Sequence, residues 1–406
     1  MGMRGQQTGR ELRVRIGLYG RTNVGKSELM NRLARQQVSI TSSERGTTTD
    51  AVRKSLELPG VGACTLIDTA GLDDTSTLGS ARMARSLQTL REVDLALILV
   101  RGTTWGAIEQ ELVGQLARLE TPYLVVHTQG DLEPLGEETA DSIARTLGVR
   151  PIAVSALQGW GLDALIGAIG EALRGRRAVR PLLDGLVAAG DLLLLVAPID
   201  AGAPVGRLIL PQVQTLRAAL DTHAVPIMCR ETAIQDTLGL LARPPRLAIT
   251  DSQVFGVAAE AIPPTIPLTS FSMLLARQKG HFELYLEGVR TIDRLKAGDR
   301  VLIVEGCTHH GTCDDIGRVK LPRWLQAHTG AQLTFDYYGG GAPLPDALEG
   351  YRLALICGGC VNTPKQIRGL LYPLVAAGVP VTNYGVAIAY MQGIFARAVR
   401  ALGYRL

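Results

Sequence analysis

Cysteine is scarce in this chain. Six thiols in 406 residues cannot frame a disulfide-stapled secreted domain, which needs them densely spaced. Aromatic side chains make up only 4%, few for the stacking platforms that read single-stranded RNA. Net charge is small as well, +4 at pH 7, too little on a chain of this size to imply a nucleic-acid partner. The densest basic stretch, residues 174–180 with four arginines, reads as a solvated linker, a polyanion contact being the sharper alternative. Residues 1–15 lack the apolar core of a signal peptide. Residues 369–396 carry no formal charge over 28 positions, a membrane-like length. That stretch nevertheless holds Pro373, Pro380, Asn383, Gln392 and four glycines, and 379–382 reads as a buried strand between two helices. The expectation is a cytoplasmic protein with neither a membrane nor a nucleic-acid partner.

What is present is a globular composition, 46% apolar and 20% charged with 46 glycines, which suits an α/β protein with many tight turns. Short β-branched and leucine-rich runs alternate with helical patterns. They predict strands at 14–19, 64–67, 95–100, 123–127 and 152–154, then at 192–197, 226–229 and 247–250, and finally at 300–305, 333–335, 353–356 and 379–382. Such alternation implies parallel sheets with crossover helices. Breaks at the arginine linker and at Pro263, Pro264 and Pro267 divide the chain into three α/β domains: 1–175, 181–262 and 265–406.

Gly20-Arg21-Thr22-Asn23-Val24-Gly25-Lys26-Ser27 matches the phosphate-binding loop G-x-x-x-x-G-K-S. It follows a predicted strand and opens a helix at 28–34, starting from Glu28, the context that motif requires. Its glycines let backbone N–H groups curl around phosphate oxygens at a helix N-terminus. Lys26 then reaches the outer phosphates and Ser27 ligates Mg2+. Asp68-Thr69-Ala70-Gly71 follows the second strand. Asp68 there can hold the magnesium through water, and the Gly71 amide can sense the terminal phosphate.

Near the other end, Cys307 and His309 follow one predicted strand, and Cys357-Gly358-Gly359-Cys360 follows another. Both segments lie past the carboxyl ends of strands, the edge where open α/β sheets gather ligands. Three thiols and one imidazole suit tetrahedral zinc or an iron–sulfur cluster. His310 and Cys313 are nearby spares, read as second-sphere or structural groups.

Around the P-loop, Gly46-Thr47-Thr48-Thr49-Asp50 resembles the first switch of GTPases, with Thr48 as the magnesium-side threonine. Ser155-Ala156-Leu157 looks like the loop closing over a guanine base. Residues 14–172 thus resemble a translation-factor-type GTPase of the ribosome-assembly and tRNA-modification kind. The base-reading motif, usually Asn-Lys-x-Asp, is Thr128-Gln129-Gly130-Asp131. Asp131 can still pair with the guanine ring nitrogens, so GTP preference with modest affinity is expected. Leu72 after Gly71 cannot orient water, which implies slow hydrolysis. The resemblance offers Asn23 as a holder of K+ against the phosphates, with a plain turn-former as the alternative.

The whole pattern, with Pro198-Ile199-Asp200 and residues 206–212 between the ends, resembles the FeFe-hydrogenase maturation GTPase family. That resemblance implies a 4Fe–4S cluster on Cys307, Cys357 and Cys360, with His309 a less certain ligand. It implies a diiron precursor accepted as cargo from radical-type maturases and delivered to apo-FeFe-hydrogenase, and a homodimer formed through the middle domain. Many members place histidine directly before Cys-x-x-Cys, where this chain has Ile356, so the fourth iron needs another ligand. Two alternatives stay open: an RNA- or ribosome-associated GTPase with a structural zinc module, and a redox enzyme using Cys357 and Cys360 as a dithiol.

Overall fold

The computed structural model describes residues 13–36, 43–44, 52–73, 86, 89–174, 180–199, 208–305, 315–339, 344–345 and 347–405. The chain divides into two compact units, Met1–Ala178 and Val179–Leu406.

The first unit is built on seven strands: β1 (Val14–Gly20), β2 (Ser43–Glu44), β3 (Val52–Leu58), β4 (Gly62–Asp68), β5 (Leu95–Val100), β6 (Tyr123–His127) and β7 (Ile152–Ala153). Their order across the sheet is β2-β3-β4-β1-β5-β6-β7. All six residues of β5 are buried, as befits a central strand covered on both faces. The sheet is mixed where the strand–helix alternation implied a parallel one, because β3 runs antiparallel to both β2 and β4. Only three residues join β3 to β4, too short for a parallel crossover. Arg53, Lys54 and Glu57 interrupt the apolar run of β3, so this half-exposed strand has no strong sequence signal. β4 and β5 flank β1 on opposite sides. The carboxyl end of β1 is therefore a topological switch point, where a crevice forms.

The second unit holds two four-stranded sheets. One is β11-β10-β8-β9, from β8 (Leu192–Val196), β9 (Val225–Cys229), β10 (Leu247–Thr250) and β11 (Leu268–Ser270). The other is β13-β12-β14-β15, from β12 (Arg300–Val304), β13 (Thr334–Tyr338), β14 (Tyr351–Ile356) and β15 (Val381–Asn383). All pairings in both are parallel. Both sheets share one order: the first strand lies inside, the second on one flank, the third and fourth on the other. Each thus has its own switch point between its first and third strands. The first sheet extends past the prolines at 263–267, since β11 is its edge strand.

A continuous apolar core runs from Leu182 to Leu402 and joins the two sheets. The helix Phe395–Ala401 packs on β11. From that helix, the Arg397 guanidinium donates to the carbonyls of Ala259, Ile262, Pro263 and Ile266 at 2.7–3.3 Å, satisfying a loop that would otherwise leave backbone acceptors unpaired. The helix Phe282–Gly288 lies so close to β15 that a Cβ on Gly288 would stand 2.0 Å from the Val381 carbonyl oxygen. The uncharged stretch near the end folds as the helix Pro364–Ala376, strand β15 and the helix Tyr384–Met391, a strand between two helices as its prolines and glycines predicted. Among the described residues no helix is long and apolar enough to cross a membrane.

Candidate functional site

The P-loop spans the turn between β1 and the helix Lys26–Gln36. Gly20 lies so close to β5 that a Cβ would meet the Leu99 carbonyl at 2.6 Å. Gly25 sits at φ +93°, a conformation strained for any residue with a side chain. Lys26 is buried and donates to the carbonyls of Gly20 at 3.1 Å and Arg21 at 2.7 Å, which holds its ammonium inside the loop. Burial pushes the Lys26 pKa below the ordinary lysine range, against the pull of Asp68 and Asp73.

Ser27 Oγ donates to Asp68 Oδ2 at 2.5 Å, while Asp68 Oδ1 is buried with no hydrogen-bond partner among the described residues. Burial raises the Asp68 pKa, with the Ser27 hydrogen bond and the nearby Lys26 and Lys54 opposing it. A hydroxyl beside an unpaired buried carboxylate oxygen is a donor set that fits Mg2+. Ser27 and Asp68 would hold the ion, which when bound neutralises charge on the phosphates. Thr48, the other magnesium-side residue, lies outside the described residues.

Gly71 packs against the loop: a Cβ there would approach Thr22 Oγ1 at 2.3 Å and the Thr22 nitrogen at 2.8 Å. The Leu72 amide donates to the Gly20 carbonyl at 3.2 Å, tying the segment after β4 to the phosphate loop. Asp73, which sequence reasoning did not single out, accepts from the Thr22 amide at 2.6 Å and from its hydroxyl at 2.8 Å. Arg21 is anchored by Glu109 through two bonds of 2.8 and 3.0 Å, and the buried Glu109 also accepts from the Gly106 amide at 2.9 Å.

The altered base-reading motif keeps a mechanical role. Thr128 Oγ1 donates to the Val24 carbonyl at 2.5 Å, and Gln129 Nε2 donates to the Asn23 carbonyl at 3.3 Å. Both side chains therefore tie the base loop to the P-loop. Asn23 and Gln129 both adopt positive φ, 59° and 55°. The Gly130 amide donates to the Val154 carbonyl at 3.3 Å, and a Cβ on Gly130 would meet the Trp160 ring at 2.8 Å. This ties the residue before Asp131 to Val154, which precedes the Ser155–Ala156 loop, with Ser155 itself buried and accepting from the Gln158 amide.

In the second unit, Val304 and Ile356 are register partners at the ends of β12 and β14, and the Cys357 amide donates to the Val304 carbonyl at 3.0 Å. The Cys-Gly-Gly-Cys turn thus opens at the switch point of its sheet. Cys357 and Cys360 are half-buried thiols outside any disulfide. The Gly359 amide donates to Cys357 Sγ at 3.4 Å, and Gly359 has φ +59°. Ile356 is buried in the core and belongs to β14. Cys307, His309, His310 and Cys313 lie outside the described residues, and among the described residues no group of three potential ligands stands together. Two thiols on a glycine turn followed by a capped helix N-terminus, where Thr363 and Gln366 form a reciprocal capping box, are a donor set suited to thiolate ligation.

The turn is held from below by residues distant in sequence. Lys279, buried at the end of the helix Phe271–Lys279, donates to the Gly359 carbonyl. At the start of the same helix Ser272 lies against Gly358, whose Cβ would meet Ser272 Oγ at 2.9 Å. Ser272 donates to Asn383 Oδ1 at 3.0 Å, and Asn383 Nδ2 donates to the Ile356 carbonyl at 3.3 Å. No local motif marks these supports.

The site of the first unit and its fold define the class: a P-loop GTPase domain, followed here by two parallel-sheet modules. Residues 15–129 match the family described as 50S ribosome-binding GTPase. Residues 182–280 match the hydrogen maturase F dimerization domain and residues 283–401 the hydrogen maturase F tetramerization domain. The chain belongs to the hydrogen maturase F family, GTPases of hydrogenase maturation, and carries that family's oligomerisation domains.

Among curated proteins, the tRNA modification GTPase MnmE of Moorella thermoacetica is 36% identical over 169 residues, 41% of this chain and 36% of the relative. The protein of the same name from Nitrosomonas eutropha is 42% identical over 122 residues, 29% of this chain and 26% of the relative. The chain spans about a third of the length of these curated relatives, and the likeness reflects the GTPase domain. Among solved structures, Aquifex aeolicus Era aligns at a TM-score of 0.34 with 20% identity, over 53% of this chain and 92% of that one.

Proposed function

We propose that this protein binds and slowly hydrolyses GTP and serves as a scaffold in hydrogenase metallocofactor assembly. The observation that carries the reading is the thiol turn at a switch point in a chain that also holds a complete P-loop. Cys357 and Cys360, with Cys307 three residues past the end of β12, hold a 4Fe–4S cluster. That cluster, when bound, supplies an iron site to which cargo can attach. With Ile356 committed to the core, the fourth iron has no histidine immediately before the turn, and an exchangeable ligand there suits a carrier. Lys279, Ser272 and Asn383 hold the turn that carries the two thiols.

The cargo is a diiron precursor, accepted from radical-type maturases and passed to apo-FeFe-hydrogenase. GTP acts through Thr48 and Gly71, the two switch segments, by changing affinity for partners and not by driving iron chemistry. A coupling of a few kcal/mol is of the right order for such a switch. Asn23 holds K+ beside the phosphates and compensates for Leu72, which cannot orient water. The middle region pairs two copies, and the protein works in the cytoplasm.

The test is the iron, sulfide and zinc content of anaerobically purified protein, wild type beside Cys357→Ser. Iron and sulfide that fall sharply in the variant, with GTP hydrolysis kept within about twofold, are expected. Stoichiometric zinc without iron after reconstitution would overturn the cluster reading in favour of a structural-zinc GTPase.

A further inference from the structure

We infer that Asp73 sets the nucleotide preference of this GTPase: its carboxylate sits on Thr22 at the terminal-phosphate end of the P-loop and penalises GTP relative to GDP. The inference rests on the reading of the first unit as a guanine-nucleotide site and adds a determinant which the motifs do not contain.

Three observations locate the carboxylate. Gly71, whose amide the D-T-A-G motif assigns to the terminal phosphate, packs directly on Thr22, since a Cβ would fall within 2.3 Å of the Thr22 hydroxyl. The Leu72 amide is bonded to the Gly20 carbonyl at 3.2 Å, which fixes where the chain leaves the loop. Asp73 then takes both donors of Thr22, the amide at 2.6 Å and the hydroxyl at 2.8 Å. Asp73 is consequently an anion held by two hydrogen bonds at one end of a loop built to receive anions.

Charge decides the consequence. Lys26, the cation that the outer phosphates also use, lies in the field of Asp73. Arg21, the other nearby cation, is engaged by Glu109 through two bonds. Neither is available to Asp73 alone. GTP brings an additional negatively charged group to this end of the loop, whereas GDP stops one phosphate short. Like charges brought close repel unless one moves or is screened. GTP therefore binds at the expense of repelling Asp73 or releasing it from Thr22, and GDP binds without either.

The test measures affinities of fluorescent GDP and of a non-hydrolysable GTP analogue, both with Mg2+, for the wild-type full chain, Asp73→Asn and Asp73→Ala. Asparagine keeps the size and an acceptor for Thr22 but removes the charge, and unchanged GDP binding would itself show that the variant is folded. The expected result is an analogue affinity raised roughly tenfold in Asp73→Asn, with the gain shrinking at high salt and GDP affinity little changed. Equal shifts for both nucleotides, or a weaker grip on the analogue in both variants, would overturn the inference. Wild-type protein that binds neither nucleotide would overturn the guanine-nucleotide reading itself, and this proposal with it.

Discussion

In the first unit, eight consecutive residues, from the last of β1 onward, supply most of the groups at the phosphate site. In the second, the thiol turn opens after β14, Cys307 follows β12, and the groups that hold the turn come from Ser272, Lys279 and Asn383. Both places use the carboxyl edge of parallel strands at a switch point. The difference is in how the chain reaches it. Phosphate is bound by backbone amides, which neighbours in sequence can aim together. A cluster of thiolates must be gathered from separate strands, and its geometry depends on whatever lies beneath them. A loop site therefore carries its own signature, while a gathered site is as well defined as its sheet.

That contrast can be broken at several points. Lys26→Ala should have the largest effect, weakening GTP and GDP binding by about a hundredfold or more through loss of a charge-assisted phosphate contact. Nucleotide titration would show it, while the unfolding transition of the second unit stays in place. A shift in that transition as well would show that the two regions are energetically coupled.

Gly288→Ala tests the second unit from the side of its scaffold. The added methyl meets the backbone of β15, the strand that ends in Asn383, and backbone cannot yield as a side chain can. A loss of about 3 kcal/mol is expected, read as a lower midpoint for that unit in denaturant, with nucleotide affinity unchanged.

Asp68→Asn has the smallest effect on stability and sharpens the electrostatic side. Burial raises the Asp68 pKa in the fold, so the folded state favours the neutral acid. Stability then declines as pH rises from the ordinary carboxylate value toward and through the raised one, and is level above it. Asparagine cannot ionise and removes that penalty. In chelator, the variant should melt roughly 2 °C higher near neutral pH and lose the slope above about pH 4, while Mg2+ ceases to strengthen its nucleotide binding. A variant with the same slope as wild type would show that Asp68 is solvated after all.

Particular elements show what could be read in advance. The strands Leu95–Val100, Tyr123–His127 and Leu247–Thr250 were legible to the residue, because a strand buried on both faces must be an unbroken apolar run. β3 was not, since a half-exposed hairpin strand carries charged residues and its partner is chosen by a turn. The short β11 was hidden behind prolines. Within the sites, the P-loop, Asp68, Gly71 and the thiol pair follow from spacing alone. Asp73, Lys279, Ser272 and Asn383 do not, because an aspartate after D-T-A-G or a lysine at the end of a helix has no distinguishing pattern until its partner is seen.

By itself, the sequence determined the nucleotide loop, the alternation of strands and helices, and the presence of thiols after two strands. These depend on local order: amides in series, apolar periodicity, and residue type at a turn. Tertiary structure alone decided that Thr128 and Gln129 tie the base loop to the P-loop, that Asp73 sits on Thr22, and that one helix grips the thiol turn at both of its ends. Those contacts join residues remote along the chain, and only the packing of sheets and helices around a common core brings them within hydrogen-bonding distance.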